Sequence, residues 1–390
     1  MNLSTIYLIL ILLSLQNRIS NQKDEKVQIP FVNIIECSHK KVLKLSDITS
    51  KSRLVKLETN DSCFIGRDSR YIAGSKYIIC ITRSNLLQFN SNGGFIRNLA
   101  QSGRGPEEFV NITGVDIDPQ EKNLFFTSSN SKMIHVVDLN TGKFNNPIPL
   151  SKGGLSSKIV VQNDRIAILP SISNGDSFLL YYQDLFGKFI EGIPITYKKI
   201  PQLKIRTDKN PMSLEGKIYF YESTVCGDTV FEISRTNKTP VMIVYGGEDF
   251  GISNNNPTGY IHQLLSKTIN SWLFSNQLLE MSNNALTIRD VHYYFVENTD
   301  FQLSEITEFT LDNLGKTYSP DELKKGLFTT ASSFDLARKQ FILRIEAIEF
   351  KKIVAANKMK VPENELIQIK KLDKEISIYD NPVLLIGQLK

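Results

Sequence analysis

Tyr77-Ile78-Ile79-Cys80-Ile81, Leu86-Leu87-Gln88-Phe89 and Asn92-Gly93-Gly94-Phe95-Ile96 follow one another with only short polar joints between them. Each apolar run has strand length, and each joint carries turn residues. The order is strand, turn, strand, glycine turn, strand. The same order returns as Asn123-Leu124-Phe125-Phe126-Thr127, Met133-Ile134-His135-Val136-Val137-Asp138 and Thr141-Gly142-Lys143-Phe144. It returns again as Arg165-Ile166-Ala167-Ile168-Leu169, Phe178-Leu179-Leu180-Tyr181-Tyr182 and Gly187-Lys188-Phe189-Ile190. The glycines that close the units, Gly93, Gly142 and Gly187, lie 49 and then 45 residues apart. A period in the forties with about four strands per unit marks a β-propeller. One small sheet cannot bury both of its faces, so the units stack radially and cover each other.

Later units diverge. Lys217–Tyr221 pairs with Thr229–Ile233 across Cys226-Gly227-Asp228, and Val241–Tyr245 is the outer strand of that unit. Gln277–Met281 and Val291–Val296 suit a fifth unit, and Phe341–Ile345 a sixth. The count comes to six, with five and seven as the alternatives. Arg53–Glu58 near the start and Asn381–Lys390 at the end read as strands. Ring folds commonly close by pairing strands from both termini, which removes an exposed edge, and closure is expected here. Two helical insertions are also expected. One stripe is Ile261, Leu264, Leu265 and Thr268; the other is Leu366, Ile369, Leu372 and Ile376 behind Pro362.

The 390 residues carry 46 Lys plus Arg against 41 Asp plus Glu, a net charge of +5. That is too weak to demand a nucleic-acid partner, and none is expected. Length alone suggests several domains, but a ring absorbs it into one. The apolar run Ile6–Leu15 is too short to span a bilayer and fits the core of a signal peptide. It lacks a preceding Lys or Arg, and Arg18-Ile19-Ser20 is a weak cleavage site. The expected organisation is a signal peptide over 1–20, a linker over 21–41 and the propeller over 42–390. Export to the periplasm or the exterior is expected, with no transmembrane span and a monomeric state.

The segments also resemble bacterial exported six-bladed β-propellers of the NHL-repeat-like kind. The resemblance rests on Leu57–Asp61 with Ile65-Gly66, on Phe95–Leu99 followed by Gly103–Phe109, on Gly227–Ile233, and on Asn381–Leu384. It covers roughly residues 42–390 and implies fold and export rather than an activity. The chain departs from it at the N-terminus, where many relatives carry a lipid-anchor cysteine, and in blades five and six.

Chemistry is sparse. Metalloprotease, P-loop, nucleophile-elbow and paired-cysteine patterns are absent. Cys37, Cys63, Cys80 and Cys226 form no C-x-x-C pair; one disulfide is compatible with export, and Cys80 reads as a buried small hydrophobe. His39, His135, His262 and His292 are scattered and read as structural. Asp116 and Asp118 share a face if they lie on a strand, but two carboxylates supply only part of a calcium shell.

The loop Gly103–Phe109 is the most distinctive feature. It crosses from an outer strand to the next inner strand, on a face where loops commonly bind ligands. Arg104, Gly105, Glu107 and Glu108 are the candidate ligand-binding residues; the bland reading is a tight inter-blade connection. No catalytic residue, metal site or cofactor is assigned. The expected function is a non-enzymatic binding or scaffold propeller of the cell envelope, with an unknown protein, peptide or glycan as partner. The alternatives are a metal-dependent lyase or lactonase with an axial divalent ion such as calcium, and a peptide- or glycan-binding module with an aromatic mouth. The 14 tyrosines and 22 phenylalanines permit the last without locating it.

Overall fold

Three consecutive sheets repeat one plan. Blade 1 is Arg70–Ala73, Tyr77–Ile81, Asn85–Asn90 and Phe95–Ser102, with a short parallel addition, Glu108–Phe109. Blade 2 is Ile112–Ile117, Asn123–Ser128, Met133–Asp138 and Ile148–Pro149; blade 3 is Lys158–Val161, Arg165–Leu169, Phe178–Asp184 and Phe189–Pro194. Blade 4 runs Met212–Leu214, Lys217–Thr224, Gly227–Ser234 and Asn237–Tyr245, and blade 5 runs Thr258–Lys267, Ser271–Ser282, Ala285–Glu297 and Leu303–Leu311. Blade 6 combines Ser332–Asp335, Gln340–Ile345, Val383–Leu389 and, as its outer strand, Thr49–Lys56. The protein is therefore a six-bladed β-propeller. This computed structural model describes residues 29–129, 131–152, 158–170, 178–194, 212–214, 217–224, 227–235, 237–245, 258–267, 271–282, 285–324, 327, 332–335 and 338–390. The expected signal segment 1–20 lies outside them.

Apolar runs replace simple alternation because both faces of each blade are covered. In the strand Tyr77–Ile81, Ile78 and Cys80 enter a cluster shared with Ile342, Leu384 and Ile386 of blade 6. Ile79 and Ile81 face the other way, onto Leu124 and Phe126 of blade 2. Phe125 of blade 2 then joins Ile166 and Ile168 of blade 3, and Ala167 and Leu169 join Ile218 and Ile233 of blade 4. The core is thus a series of layers between blades. At the third hairpin of blades 1 to 3, Gly93, Gly142 and Gly187 have φ of 91°, 76° and 88°. At Gly93 a Cβ would also sit 1.9 Å from the Lys56 carbonyl oxygen, so only glycine serves there.

Closure occurs as the sequence implies. Val383–Leu389 pairs antiparallel with Thr49–Lys56, from Val383 opposite Lys56 to Leu389 opposite Thr49. Just before that strand, the chain makes two additions that sequence reading missed. Phe31–Asn33, inside the expected linker, adds in parallel to Asn237–Tyr245 of blade 4. Lys40–Lys44 adds in parallel to Leu303–Leu311 of blade 5. Both are short and irregular in composition, which hides them.

One expected helix is corrected. Ile261–Thr268 falls largely within the strand Thr258–Lys267, and Thr268 lies outside the described residues. Register shifts between Leu264 and Ser266, so Leu265 is an extra residue in a bulge. The bulge breaks alternation and imitates helical spacing. The second expected helix forms over Glu363–Glu375 with Pro362 as its N-cap residue, and Ile369 and Ile376 are buried. A further helix, Ala347–Ala355, packs Phe350 and Ile353 into the same core.

Candidate functional site

All inner strands line the channel in one direction, so the channel has two chemically distinct ends. At the end where inner strands finish, three blades meet around Arg338. Its side chain leaves the turn after Ser332–Asp335 of blade 6 and reaches across to blade 2. Nη1 donates to Asp335 Oδ2 at 2.8 Å and to Asp116 Oδ1 at 3.2 Å; Nη2 donates to Asp116 Oδ1 at 3.1 Å and to the Ile117 carbonyl at 2.7 Å. Asp116 also accepts the backbone N–H groups of Ile117 and of Val161 in blade 3, each at 2.8 Å. Burial pushes the Asp116 carboxyl up, against the opposing pull of Arg338. Burial works against the charge on Arg338 as well, but Asp335 and Asp116 outweigh it and raise the guanidinium above its usual value.

The same end is stitched by Glu121, a non-glycine residue with φ of 54°. Its carboxylate accepts Ser75 N–H at 2.6 Å and Lys76 N–H at 2.8 Å from blade 1. Burial would raise its pKa, but these bonds hold the carboxyl below its ordinary value. Asp118 does not act beside Asp116. It caps its own turn, accepting Lys122 N–H, Asn123 N–H and the Asn123 amide.

The opposite end gathers the loops that lead into inner strands. Asn381 pins the loop before blade 1, accepting Ile65 N–H at 2.8 Å and donating to the Glu58 and Cys63 carbonyls at 2.6 and 2.7 Å. Arg344 of blade 6 lies beneath that loop, donating to the Gly66 and Arg67 carbonyls and pairing with Glu346 at 2.8 Å. Asp68 pairs with Arg83 at 2.6 Å, joining the loop to the turn Thr82–Asn85. Ser102 N–H donates to Ser84 O, so the loop after blade 1 adjoins the same turn. Arg70 opens the inner strand of blade 1 and donates to the Ile112 carbonyl of blade 2 at 3.1 Å. It is solvent-exposed yet closely flanked by protein, and that desolvation lowers its pKa.

The loop Gly103–Phe109 has an internal framework. Glu108 accepts Gly105 N–H at 2.8 Å and the Gln101 amide at 3.2 Å, which hold its carboxyl below the usual range. Gly103 N–H donates to Phe109 O, and the Phe109 ring is buried as an anchor. Glu108 and Gly105 are therefore occupied with loop structure, while Arg104 and Glu107 are exposed. Of the histidines, His135 stacks on Phe126 at 4.8 Å, and burial lowers its pKa. His292 lies between Glu305 at 2.9 Å and Asp290 at 3.2 Å. His39 offers its carbonyl to Glu305 N–H, and the His262 side chain lies outside the described residues. Cys37, Cys63 and Cys80 are free thiols; Cys226 lies outside the described residues.

Among the described residues no group of three or more His, Cys, Asp or Glu could hold a metal ion. Outside the channel, two adjoining depressions of about 470 and 380 Å³ lie between Thr49–Lys56 and the helix Glu363–Glu375 and share Arg53, Leu54 and Leu372. Sequence reading missed Arg338, Arg344 and Arg70, and it took Asn381 as a strand landmark without its role as a pin. Each acts through a partner far away in the chain, and no local pattern marks them.

The family model for a domain of unknown function matches residues 27–388. The chain belongs to that family, Domain of unknown function (DUF4934). A solved structure titled "Putative exported protein" from Bacteroides fragilis shares 13% identity with this family member, with a TM-score of 0.59. The match covers 92% of this chain and 99% of that one and shows a shared fold. Kuenenia stuttgartiensis hydrazine synthase matches at 11% identity over 83% of this chain and 85% of its own, with a TM-score of 0.35, too low to carry an argument. No curated protein matches. No helix among the described residues is long and apolar enough to cross a membrane.

Proposed function

We propose that this DUF4934 chain is a non-enzymatic binding or scaffold propeller, exported to the cell envelope, with its ligand face at the channel end where the inner strands begin. The observation that carries the reading is the placement of Arg338. Among the described residues, a guanidinium at this end of the channel stands between the carboxylates of Asp116 and Asp335 and pairs with both. That arrangement serves ring closure and supplies no open coordination position. The opposite end carries the loops Ile65–Arg70 and Gly103–Phe109, which take no part in the Arg338 cluster. Export is supported by the apolar N-terminal run and by the printed name of the structural neighbour; the NHL-repeat-like affinity rests on the residue likeness.

The test is fractionation of the native host combined with an activity screen. Mature protein lacking Met1 in the envelope or the medium is expected. No turnover of lactone or uronate-polymer substrates is expected, with or without added calcium. Intact protein in the cytoplasm, or calcium-dependent turnover, refutes the reading.

A further inference from the structure

The loops at the ligand end hold more cationic groups than their own carboxylates satisfy. Asp68 is taken by Arg83, Glu346 by Arg344, and Glu108 by Gly105 N–H and Gln101. Three arginines remain: Arg67, Arg70 and Arg104. Among the described residues none of the three forms an ion pair, although Asp61, Asp68 and Glu107 are exposed acids of the same loops. These positions belong to one surface. The Asp68–Arg83 pair joins the loop Gly66–Arg70 to the turn Thr82–Asn85, and the Ser102 to Ser84 bond joins that turn to the loop carrying Arg104. Within this surface Arg70 differs from the other two. It begins an innermost strand at the channel mouth, and one of its five N–H groups is committed, to the Ile112 carbonyl.

We infer that Arg70 is an oxyanion-binding residue at the channel mouth, with Arg67 beside it, and that the ligand of this propeller presents a carboxylate, sulfate or phosphate group there. The inference rests on the binding reading above and names the chemistry of its ligand. A guanidinium flanked by protein has lost part of its hydration; Arg338 and Arg344 offset that loss by pairing with carboxylates, and Arg70 does not. Its planar fork suits an oxyanion that accepts two parallel N–H bonds. Arg104 lies toward the outer strand, about 14 Å from the inner strand by the usual strand spacing. It can therefore meet a second acidic group only on an extended ligand.

The experiment uses the full mature protein and three probes: glucuronate, sulfate and phosphate. Each is titrated at constant ionic strength against chloride while thermal unfolding is followed. Wild type is expected to show saturable stabilisation by at least one probe. R83Q removes a paired arginine of the same surface and is expected to respond as wild type does. R70Q is expected to lose at least about tenfold in affinity, as for one charged hydrogen-bonded contact. R70K keeps the charge without the fork, is expected to fall between them, and replaces R70Q if that variant does not fold. Preference for glucuronate identifies a carboxylate ligand; preference for sulfate or phosphate identifies a tetrahedral one. The inference is overturned if no probe stabilises wild type saturably, or if R70Q or R70K binds as wild type does. That failure leaves the envelope and no-turnover tests untouched, so the broader reading stands or falls separately.

Discussion

Replacing Arg338 with methionine removes a cation shared by blades 6 and 2 while keeping most of the side-chain volume. The Arg338 side chain is 17% exposed, Asp116 12% and Asp335 14%. Two largely buried carboxylates are then left facing each other. Breaking a buried pair by removing one partner costs roughly 3–5 kcal/mol. At about 2.1 cal/mol/K of unfolding entropy per residue, a ring of this length loses about 1.3 °C for each kcal/mol, so a fall of about 4–7 °C is expected. The pH dependence is the sharper reading. Asp116 has a folded pKa above its unfolded value, so its folded state holds a proton in a window where the unfolded state does not. Its contribution to stability is present at low pH and falls away as pH rises through the folded value. Loss of Arg338 raises that value further. Urea unfolding at about pH 5 and pH 7.5 measures the deficit directly, and the deficit of R338M should be larger at the higher pH. Equal deficits at both, or melting within about 1 °C of wild type, would refute the account of Arg338 as the counter-charge of the ring.

Four further outcomes are expected. Asn381→Ala leaves Ile65 N–H and the Cys63 carbonyl without their partner and takes from the Glu58 carbonyl one of its two donors, and should cost about 2–4 kcal/mol in urea unfolding; a loss under about 1 kcal/mol would show that water replaces the amide freely. Gly93→Ala forces a Cβ against the Lys56 carbonyl at positive φ and should cost at least about 2 kcal/mol. Gly66→Ala, where nothing lies within 4 Å of the added carbon, should stay within about 0.5 kcal/mol of wild type, and a reversal of that order would count against the hairpin geometry. The Cys80 thiol is fully buried, and burial pushes its pKa up to about 12, so thiol reagents should label it only after unfolding. Labelling in the native protein would place it outside the layer between blades 6 and 1.

The units from Tyr77 to Ile190 were legible because their glycine turns need positive φ and because two-sided burial makes long apolar runs. Closure by Val383–Leu389 and Thr49–Lys56 was legible for the same reason: a β-rich terminal segment needs a partner. The bulge at Leu265 misled because one extra residue shifts a period of two toward helical spacing. The site was less legible. Asp116 stood out only as half of a pair with Asp118, yet the structure separates the two, sending one to Arg338 and the other to its own turn. Arg338 and Arg70 belong to no local pattern, since what distinguishes them is having or lacking a counter-ion contributed by another part of the chain. The loop Gly103–Phe109 was visible through its glycines and proline, but which of its acids stays free depends on hydrogen bonds that spacing does not reveal.

The two parallel additions, Phe31–Asn33 on blade 4 and Lys40–Lys44 on blade 5, also bear on the order of assembly. The earliest segments of the propeller dock on strands that emerge some two hundred residues or more later, and the outer strand of blade 6 waits for the final residues of the chain. Contacts of such long range are paid for in loop entropy before they return any stability. Blades 1 to 3, built from local hairpins, can form while the chain is still being made, whereas the second half of the ring cannot be sealed until it is complete. A polypeptide organised in this way postpones its irreversible commitment, and a ring left open has blades 4, 5 and 6 with bare margins available to a neighbouring copy.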